Sequence, residues 1–307
     1  MLNSFIVESL EVVVYRTNIY HYPISITEDH RIIDGRIFHN KDNAPYFFPT
    51  DNIENSRSNL LHEVVIQKWG NYHSAPVEKK LKYGAARVLD AGCGTGIWIF
   101  ELAKMYPNST FIGVDITISF TPNNYQKPSN AAFLESNLLE GLPFPDNTFD
   151  YIHQRHMITA FTELQWPGIL KELARVLKPG GYLELCEYEI HVNSFIDIGK
   201  RFHNAIRGFF FTNGHTIDLA LKLPKLLENT KEFESINGFE ILVEVGSWGG
   251  ECETVIATWE TFQRIIQAKL KISDQNFKKS IDNFRLQSED PNVKMFAKSH
   301  RVYAKKK

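Results

Sequence analysis

From Glu54 to Trp69 the apolar residues Leu60, Leu61, Val64, Val65 and Trp69 recur at one-, three- and four-residue steps, the spacing of an amphipathic helix with one face to bury. Beyond it the period switches repeatedly. The pattern predicts strand Arg87–Asp90, helix Thr95–Tyr106, strand Thr110–Val114, strand Ala131–Glu135, strand Phe149–His153, helix Gln165–Leu177 and strand Gly181–Glu187. Pro107 and the run Pro179, Gly180, Gly181 stop the two helices. Between Asp115 and Ala131, Thr117, Pro122, Asn123, Asn124 and Pro128 favour turns over a helix. After Glu187 the alternation breaks. Helical segments at about Asp197–Phe211 and Asp218–Asn229 precede a strand at Phe239–Val245, a helix near Cys252–Leu270 and a terminal strand at Arg301–Lys305. Before Phe38 only a short run from Val12 to Tyr15 stands out, so residues 1–37 read as a poorly defined, loosely attached extension.

A chain of 307 residues, 43% of them hydrophobic, can bury one substantial core with appendages. Its net charge of −2 gives no global field toward nucleic acid or anionic membrane, and no basic stripe or recognition module is present. Lys305, Lys306 and Lys307 read as a solvated tail rather than a targeting signal. Cys93, Cys186 and Cys252 are odd in number and far apart, which argues against a disulfide framework or a zinc module and for a reducing compartment. Glu8 and Glu11 interrupt the apolar stretch Ile6–Val14 and no basic residue precedes it, so no leader is expected; no run of 18 apolar residues suggests a transmembrane helix. The expectation is a soluble, cytoplasmic protein, with a nuclear location also compatible.

The chemistry is concentrated where the first predicted strand meets its helix. Gly92, Gly94 and Gly96 alternate with Cys93 and Thr95, and such a turn adopts positive φ and lets ligand atoms approach a backbone without Cβ atoms. Asp115 lies about 20 residues beyond the loop, where a carboxylate at the tip of the second strand accepts ribose hydroxyls. The dinucleotide fingerprint would place its third glycine at position 97, which Ile97 holds. Asp90 adds negative charge beside the loop, unsuited to a pyrophosphate at a helix N-terminus. A cationic nucleoside without phosphate, S-adenosyl-L-methionine, fits both observations; a nicotinamide oxidoreductase is the distant alternative.

At these residues the chain resembles the class I S-adenosylmethionine-dependent methyltransferases (methyltransferase type 11/25 domain). The segment Leu142 to His153 is similar to that superfamily's fourth strand and its lead-in, and Leu170 to Leu185 to the following helix, turn and fifth strand. The resemblance runs from about Gly84 to Glu187. More narrowly, Phe38, His39, Pro45 to Pro49, Glu54, Arg57 and His62 are similar to the segment preceding the fold in fungal methyltransferases related to the regulator of secondary metabolism; Ser58 stands where that family usually has a leucine. The resemblance implies a Rossmann-like α/β fold: a mostly parallel seven-stranded sheet with helices on both faces, an N-terminal helical extension and a helical cap after the fifth strand. It divides residues 38–307 into an N-terminal lid (38–83), a cofactor-binding core (84–187) and a substrate-cap insertion (190–235).

Ligands of open α/β sheets sit at the carboxyl ends of the strands. Asp115 is assigned to the ribose hydroxyls, the backbone of Ala91, Gly92, Cys93, Gly94 and Gly96 to the methionine tail, and Asp90 to the loop or the ligand's ammonium group. Ile116 packs either on adenine or in the core. Where the superfamily often has an aspartate for the adenine amino group, Asn137 stands next to Leu138, with Glu135 and Ser136 as nearby substitutes; an amide carbonyl accepts the same hydrogen bond. His153 and His156 face the acceptor side, each either a general base or a hydrogen-bonded rim residue, with His153 also beside the cofactor. No carboxylate or cysteine stands at metal-ligand spacing from them, so no metal is expected. Phe202, Phe209, Phe210 and Phe211 line an acceptor pocket or fill the core, and Glu187 and Tyr188 are further acceptor-side candidates. The leading expectation is a methyltransferase acting on a small molecule. The alternative is a non-catalytic S-adenosylmethionine-binding regulatory protein of the same fold, with a protein partner.

Overall fold

The structure, a computed structural model, describes residues 28–118, 127–189, 196–216, 218–245 and 251–307. Strands β1 (His30–Ile33) and β2 (Arg36–His39) form an antiparallel hairpin. Its turn is Asp34-Gly35, both at positive φ, as a two-residue hairpin of this hand requires. The hairpin is tied to the next element by a bidentate ion pair from Arg36 to Asp51 at 2.6 and 3.0 Å. A boundary at residue 37 therefore cuts through β2, and the last part of the expected extension is attached to the segment around Asp51. The Val12–Tyr15 run lies outside the described residues.

Asp51 caps α1 (Asn52–Trp69) by accepting the Glu54 N–H, and Gly70, left-handed at φ 70°, ends it. A short α2 (Glu78–Tyr83) leads into β3 (Arg87–Ala91). Then follow α3 (Ile97–Met105), β4 (Thr110–Asp115), β5 (Ala131–Glu135), β6 (Phe149–Arg155), α4 (Trp166–Val176) and β7 (Leu177–Glu189). The turn-rich connection expected between Asp115 and Ala131 falls largely outside the described residues. The C-terminal part comprises α5 (Asp197–Thr212), α6 (Leu219–Thr230), β8 (Phe233–Glu244), α7 (Glu251–Thr261), α8 (Gln263–Leu270), α9 (Asp274–Ser288) and β9 (Phe296–Lys306).

Seven strands form one sheet in the order β5-β4-β3-β6-β7-β9-β8. The first five are parallel, and β9 runs antiparallel between β7 and β8. Alternate residues of β3 and β6 serve opposite faces: Leu89 and Ile152 pack with α4 and α6, whereas Val88 and Tyr151 pack with α2 and α3. This is the Rossmann-like class I methyltransferase fold, with helices on both faces. The chain runs outward from β3 in both directions, to β4 on one side and β6 on the other, so strand order reverses there and opens a crevice at the strands' carboxyl ends.

The C-terminal part departs from the periodicity reading in several places. The expected helix near Cys252–Leu270 divides at Phe262 into α7 and α8, and α9 follows where no element was expected. Of the two helices expected to form a cap, only α5 packs with the later helices. Its Phe202, Ile206 and Phe210 share a separate core with Trp259, Ile266, Phe277 and Phe284 of α7, α8 and α9. In α6, Leu219, Leu223 and Leu227 at four-residue spacing pack back onto the sheet. The terminal lysines are no loose tail. Lys305 and Lys306 lie in β9, and Lys306 Nζ donates to Asn147 and to the Leu177 carbonyl at 2.8 and 2.7 Å.

Candidate functional site

At the end of β3 the loop Gly92–Gly96 turns with all three glycines left-handed, at φ 84°, 54° and 71°. Two of them are constrained by neighbours: a Cβ at Gly92 would meet Met157 Sδ at 2.3 Å, and one at Gly96 the Phe133 ring at 2.6 Å. Gly94 is different. No atom lies within 4 Å of where its Cβ would stand, and it lines a cavity of about 150 Å³. Gly92 and Cys93 donate their N–H groups to the Val114 carbonyl at 2.7 and 3.0 Å, anchoring the loop to β4.

Asp115, at the tip of β4, accepts the Gly94 N–H at 2.7 Å and the Thr117 N–H at 3.2 Å. Burial, with Asp90 nearby, pushes its carboxyl up to about 6 despite these bonds; it is ionised at neutral pH. Each oxygen keeps acceptor capacity toward the cavity.

Asp90 and His153 are register partners on β3 and β6, and the His153 ring nitrogen Nδ1 lies 2.8 Å from Asp90 Oδ1. An ionised carboxylate can only accept, so Nδ1 carries the proton. The ring also stacks on Trp98, centroids 4.0 Å apart and planes at 4°. Burial lowers its pKa, leaving it neutral. Asp90 thus has a protein partner in His153 as well as a place in the cavity wall.

A second relay ties α1 to the site. Arg155 donates to His62 Nδ1 at 2.7 Å; His62 Nε2 must therefore carry the proton, and lies 2.6 Å from Glu101 on α3. Thr95 of the glycine loop donates to Asn59 of α1 at 2.6 Å, and Arg57 pairs bidentately with Glu54 at 2.6 and 2.9 Å. Tyr46, Glu54, Arg57 and Ser58 complete the cavity wall opposite the glycines. The periodicity of α1 reported its buried face; it carried no information on these polar residues, for which the family resemblance at Tyr46, Glu54, Arg57 and His62 was the available signal.

Of the residues assigned from sequence, Asp90, Gly92, Cys93, Gly94, Asp115, Ile116, Asn137, Leu138, His153 and His156 converge on this cavity. Ala91 and Gly96 do not reach its wall: Ala91 is fully buried among β3 neighbours, and Gly96 abuts Phe133. Asn137 accepts the Leu139 N–H at 3.0 Å, capping a single 3₁₀ turn, so its carbonyl has one lone pair left. His156 is left-handed at φ 57°, and burial holds its pKa well below the usual histidine value. It borders a second cavity of about 180 Å³ as well, as do Tyr46 and Arg57. Glu187, Tyr188 and Phe210 line that chamber; Phe202 is buried against Phe277, and Phe211 is 71% exposed. Among the described residues no group of histidine, cysteine, aspartate or glutamate is placed to hold a metal ion, and no helix is long and apolar enough to cross a membrane.

Residues 88–181 match the family model described as a methyltransferase domain. The secondary metabolism regulator laeA of Coprinopsis cinerea is 34% identical over 161 residues, 52% of this chain and 39% of that protein. The protein-methionine methyltransferase laeA of Emericella nidulans is 29% identical over 161 residues, 51% of this chain and 40% of that protein. The matched segment thus spans about two fifths of these relatives. Among solved structures, a phosphoethanolamine N-methyltransferase 2 of Haemonchus contortus aligns at 14% identity over 82% of this chain and 58% of that one, with a TM-score of 0.48. The sheet order, the glycine loop facing Asp115 and the family match make the core a class I S-adenosylmethionine-dependent methyltransferase domain, in a chain similar to the fungal secondary-metabolism regulators.

Proposed function

We propose that the chain is an active S-adenosylmethionine-dependent methyltransferase with a small-molecule acceptor. The observation that carries this reading is the open space above left-handed Gly94, bounded by the ionised Asp115 carboxylate. In this reading Asp115 accepts the ribose hydroxyls, Ile116 and Leu138 pack on adenine, Asn137 accepts from its amino group, and Asp90 with the Gly92–Gly94 backbone holds the amino-acid end. When bound, the cofactor supplies a methyl group on a positively charged sulfur that leaves as a neutral thioether. The chain's own task is alignment. The α1 lid, fixed through Asn59, His62 and Arg57, excludes water and holds the acceptor against the methyl, a contribution of ~7–11 kcal/mol when orientation is complete. His153, held by Asp90 and Trp98, keeps the Asp90 carboxylate in place. His156, neutral and bordering both cavities, is the residue best placed to hydrogen-bond the acceptor.

Purified protein titrated calorimetrically with S-adenosylhomocysteine, then incubated with methyl-labelled S-adenosylmethionine and a cell metabolite extract, tests the reading. Saturable binding and label on a small molecule support it; absence of binding defeats it. The relatives' names favour a second reading, a regulatory protein that binds the cofactor without turnover. Binding without label transfer, together with a stable copurifying protein, would support that version, and label on a protein would shift the acceptor class.

A further inference from the structure

We infer that the second cavity is a binding site for an apolar, aromatic-sized molecule bearing a protonated amine, held by aromatic faces and by the buried carboxyl groups of Glu187 and Glu251. The inference rests on the methyltransferase reading only in naming this molecule as the acceptor; the chamber's chemistry stands on its own. The cavity adjoins the cofactor cavity across Tyr46, Arg57 and His156, which border both. Phe48, Tyr188, Phe210 and Trp259 give it aromatic walls, and such faces attract cations as well as apolar bodies.

Its charged groups are unbalanced. Among the described residues Arg57 is the wall's one arginine or lysine, and its Nε and Nη2 both donate to Glu54. Glu189 has His300 Nε2 at 3.3 Å. Among the described residues neither Glu187 nor Glu251 is in an ion pair, although the Thr254 side chain supports the Glu251 carboxyl. Glu187, fully buried, accepts only the Met157 and Ile158 N–H groups, at 2.8 and 3.1 Å. Glu251 is 4% exposed and its Oε2 has no hydrogen-bond partner; the Tyr188 hydroxyl and His156 Nε2 are likewise unsatisfied. Buried polar atoms left without partners cost stability, so several in one cavity wall point to a ligand that satisfies them. Burial lifts the Glu187 and Glu251 carboxyls to about 8 and about 7, outweighing the pull of Arg155 on the first and of Arg57 on the second, so both hold a proton for part of the time near neutral pH. An alkylammonium group donates up to three hydrogen bonds, and its charge beside the two carboxyls favours their ionised, accepting forms. An anionic ligand would hold the carboxyls in their protonated forms, and a neutral one would gain nothing from their ionisation.

The test uses the full chain saturated with S-adenosylhomocysteine, titrated calorimetrically with tryptamine, indole-3-ethanol and indole-3-acetate, which share a ring and differ in the charge of the side group. Tryptamine is expected to bind about tenfold or more tighter than indole-3-ethanol, and indole-3-acetate most weakly. In the double variant Glu187→Gln, Glu251→Gln the preference is expected to shrink to about threefold or less, with S-adenosylhomocysteine affinity unchanged. Undetectable tryptamine binding at millimolar concentration, equal affinity for the three, or an undiminished amine preference in the folded double variant overturns the inference. Should that variant not fold, the ranking on the unmodified chain decides. Repeating the series without S-adenosylhomocysteine separates this site from the cofactor site: a chain that binds tryptamine and not S-adenosylhomocysteine refutes the methyltransferase reading and leaves the amine site standing.

Discussion

Replacing Asp115 with asparagine removes a charge while keeping shape, and the structure gives the expected cost. The carboxylate accepts the Gly94 N–H at 2.7 Å through one oxygen and the Thr117 N–H at 3.2 Å through the other. An amide has a single oxygen. If it faces Gly94, the new NH₂ confronts the Thr117 N–H, donor against donor; if it faces Thr117, the conflict moves to Gly94. Either way the ribose hydroxyls lose a charged acceptor, and hydrogen bonds to charged groups contribute ~1.5–3 kcal/mol each. With one hydroxyl still able to donate to the amide oxygen, the net loss is ~2–4 kcal/mol, about 30- to 700-fold in affinity. The fold itself should be little affected. Burial already disfavours the ionised form of Asp115, so a neutral amide relieves desolvation while losing one backbone hydrogen bond. Calorimetry at pH 7.5 with S-adenosylhomocysteine and its 2′-deoxy analogue, alongside thermal denaturation, separates the effects. Unmodified protein should bind the deoxy ligand ~1–3 kcal/mol more weakly, and Asp115→Asn should nearly abolish that difference. Equal binding of both ligands by the unmodified chain, or an asparagine variant within about threefold of it, would refute the reasoning.

Affinity for S-adenosylhomocysteine should also depend on pH with a definite sign. The Asp115 carboxyl lies at about 6 and the ligand favours its ionised form, so affinity is flat above pH 7 and falls toward tenfold per unit as pH drops below 6, readable by titration from pH 5 to 8. Gly94→Ala adds a methyl where no protein atom lies within 4 Å, so the unliganded chain loses only ~1 kcal/mol from left-handed strain while cofactor binding falls much further; equal losses in denaturation and binding would contradict this. Arg301, buried against the Trp69 ring with its centre 4.3 Å away and Nε 3.3 Å from fully buried Glu184, is a structural anchor of α1. Arg301→Ala should cost ~3–5 kcal/mol in denaturant unfolding, and a loss below about 1 kcal/mol would show the pair to be dispensable.

The parallel half of the sheet was legible because its strands are short apolar runs punctuated by glycine and proline, and because Gly92, Gly94, Gly96 and Asp115 form a spaced local signature. Distances within βαβ units are short in sequence, so local pattern suffices there. The hairpin was less visible: Asp34-Gly35 is a strong turn signal, but four-residue strands on either side give almost no period. Helix α9 was missed because its buried Phe277, Ile281 and Phe284 are diluted by twelve mostly polar neighbours, and the partners that bury them come from distant α5 and α7. The Asp90–His153 pair and the Arg155–His62–Glu101 relay join residues 39 to 93 positions apart, which no periodicity reports. The same holds for the second chamber, whose walls come from α1, β7, α5 and α7.

A crystal structure of the chain with S-adenosylhomocysteine at neutral pH tests the central claim most directly. The account predicts adenosine in the crevice beyond β3 and β4, the ribose hydroxyls about 2.5–3.0 Å from Asp115, and the amino-acid end over Gly94. Ligand density elsewhere, or a ribose there with Asp115 turned away and hydrogen-bonded only to protein, would contradict it.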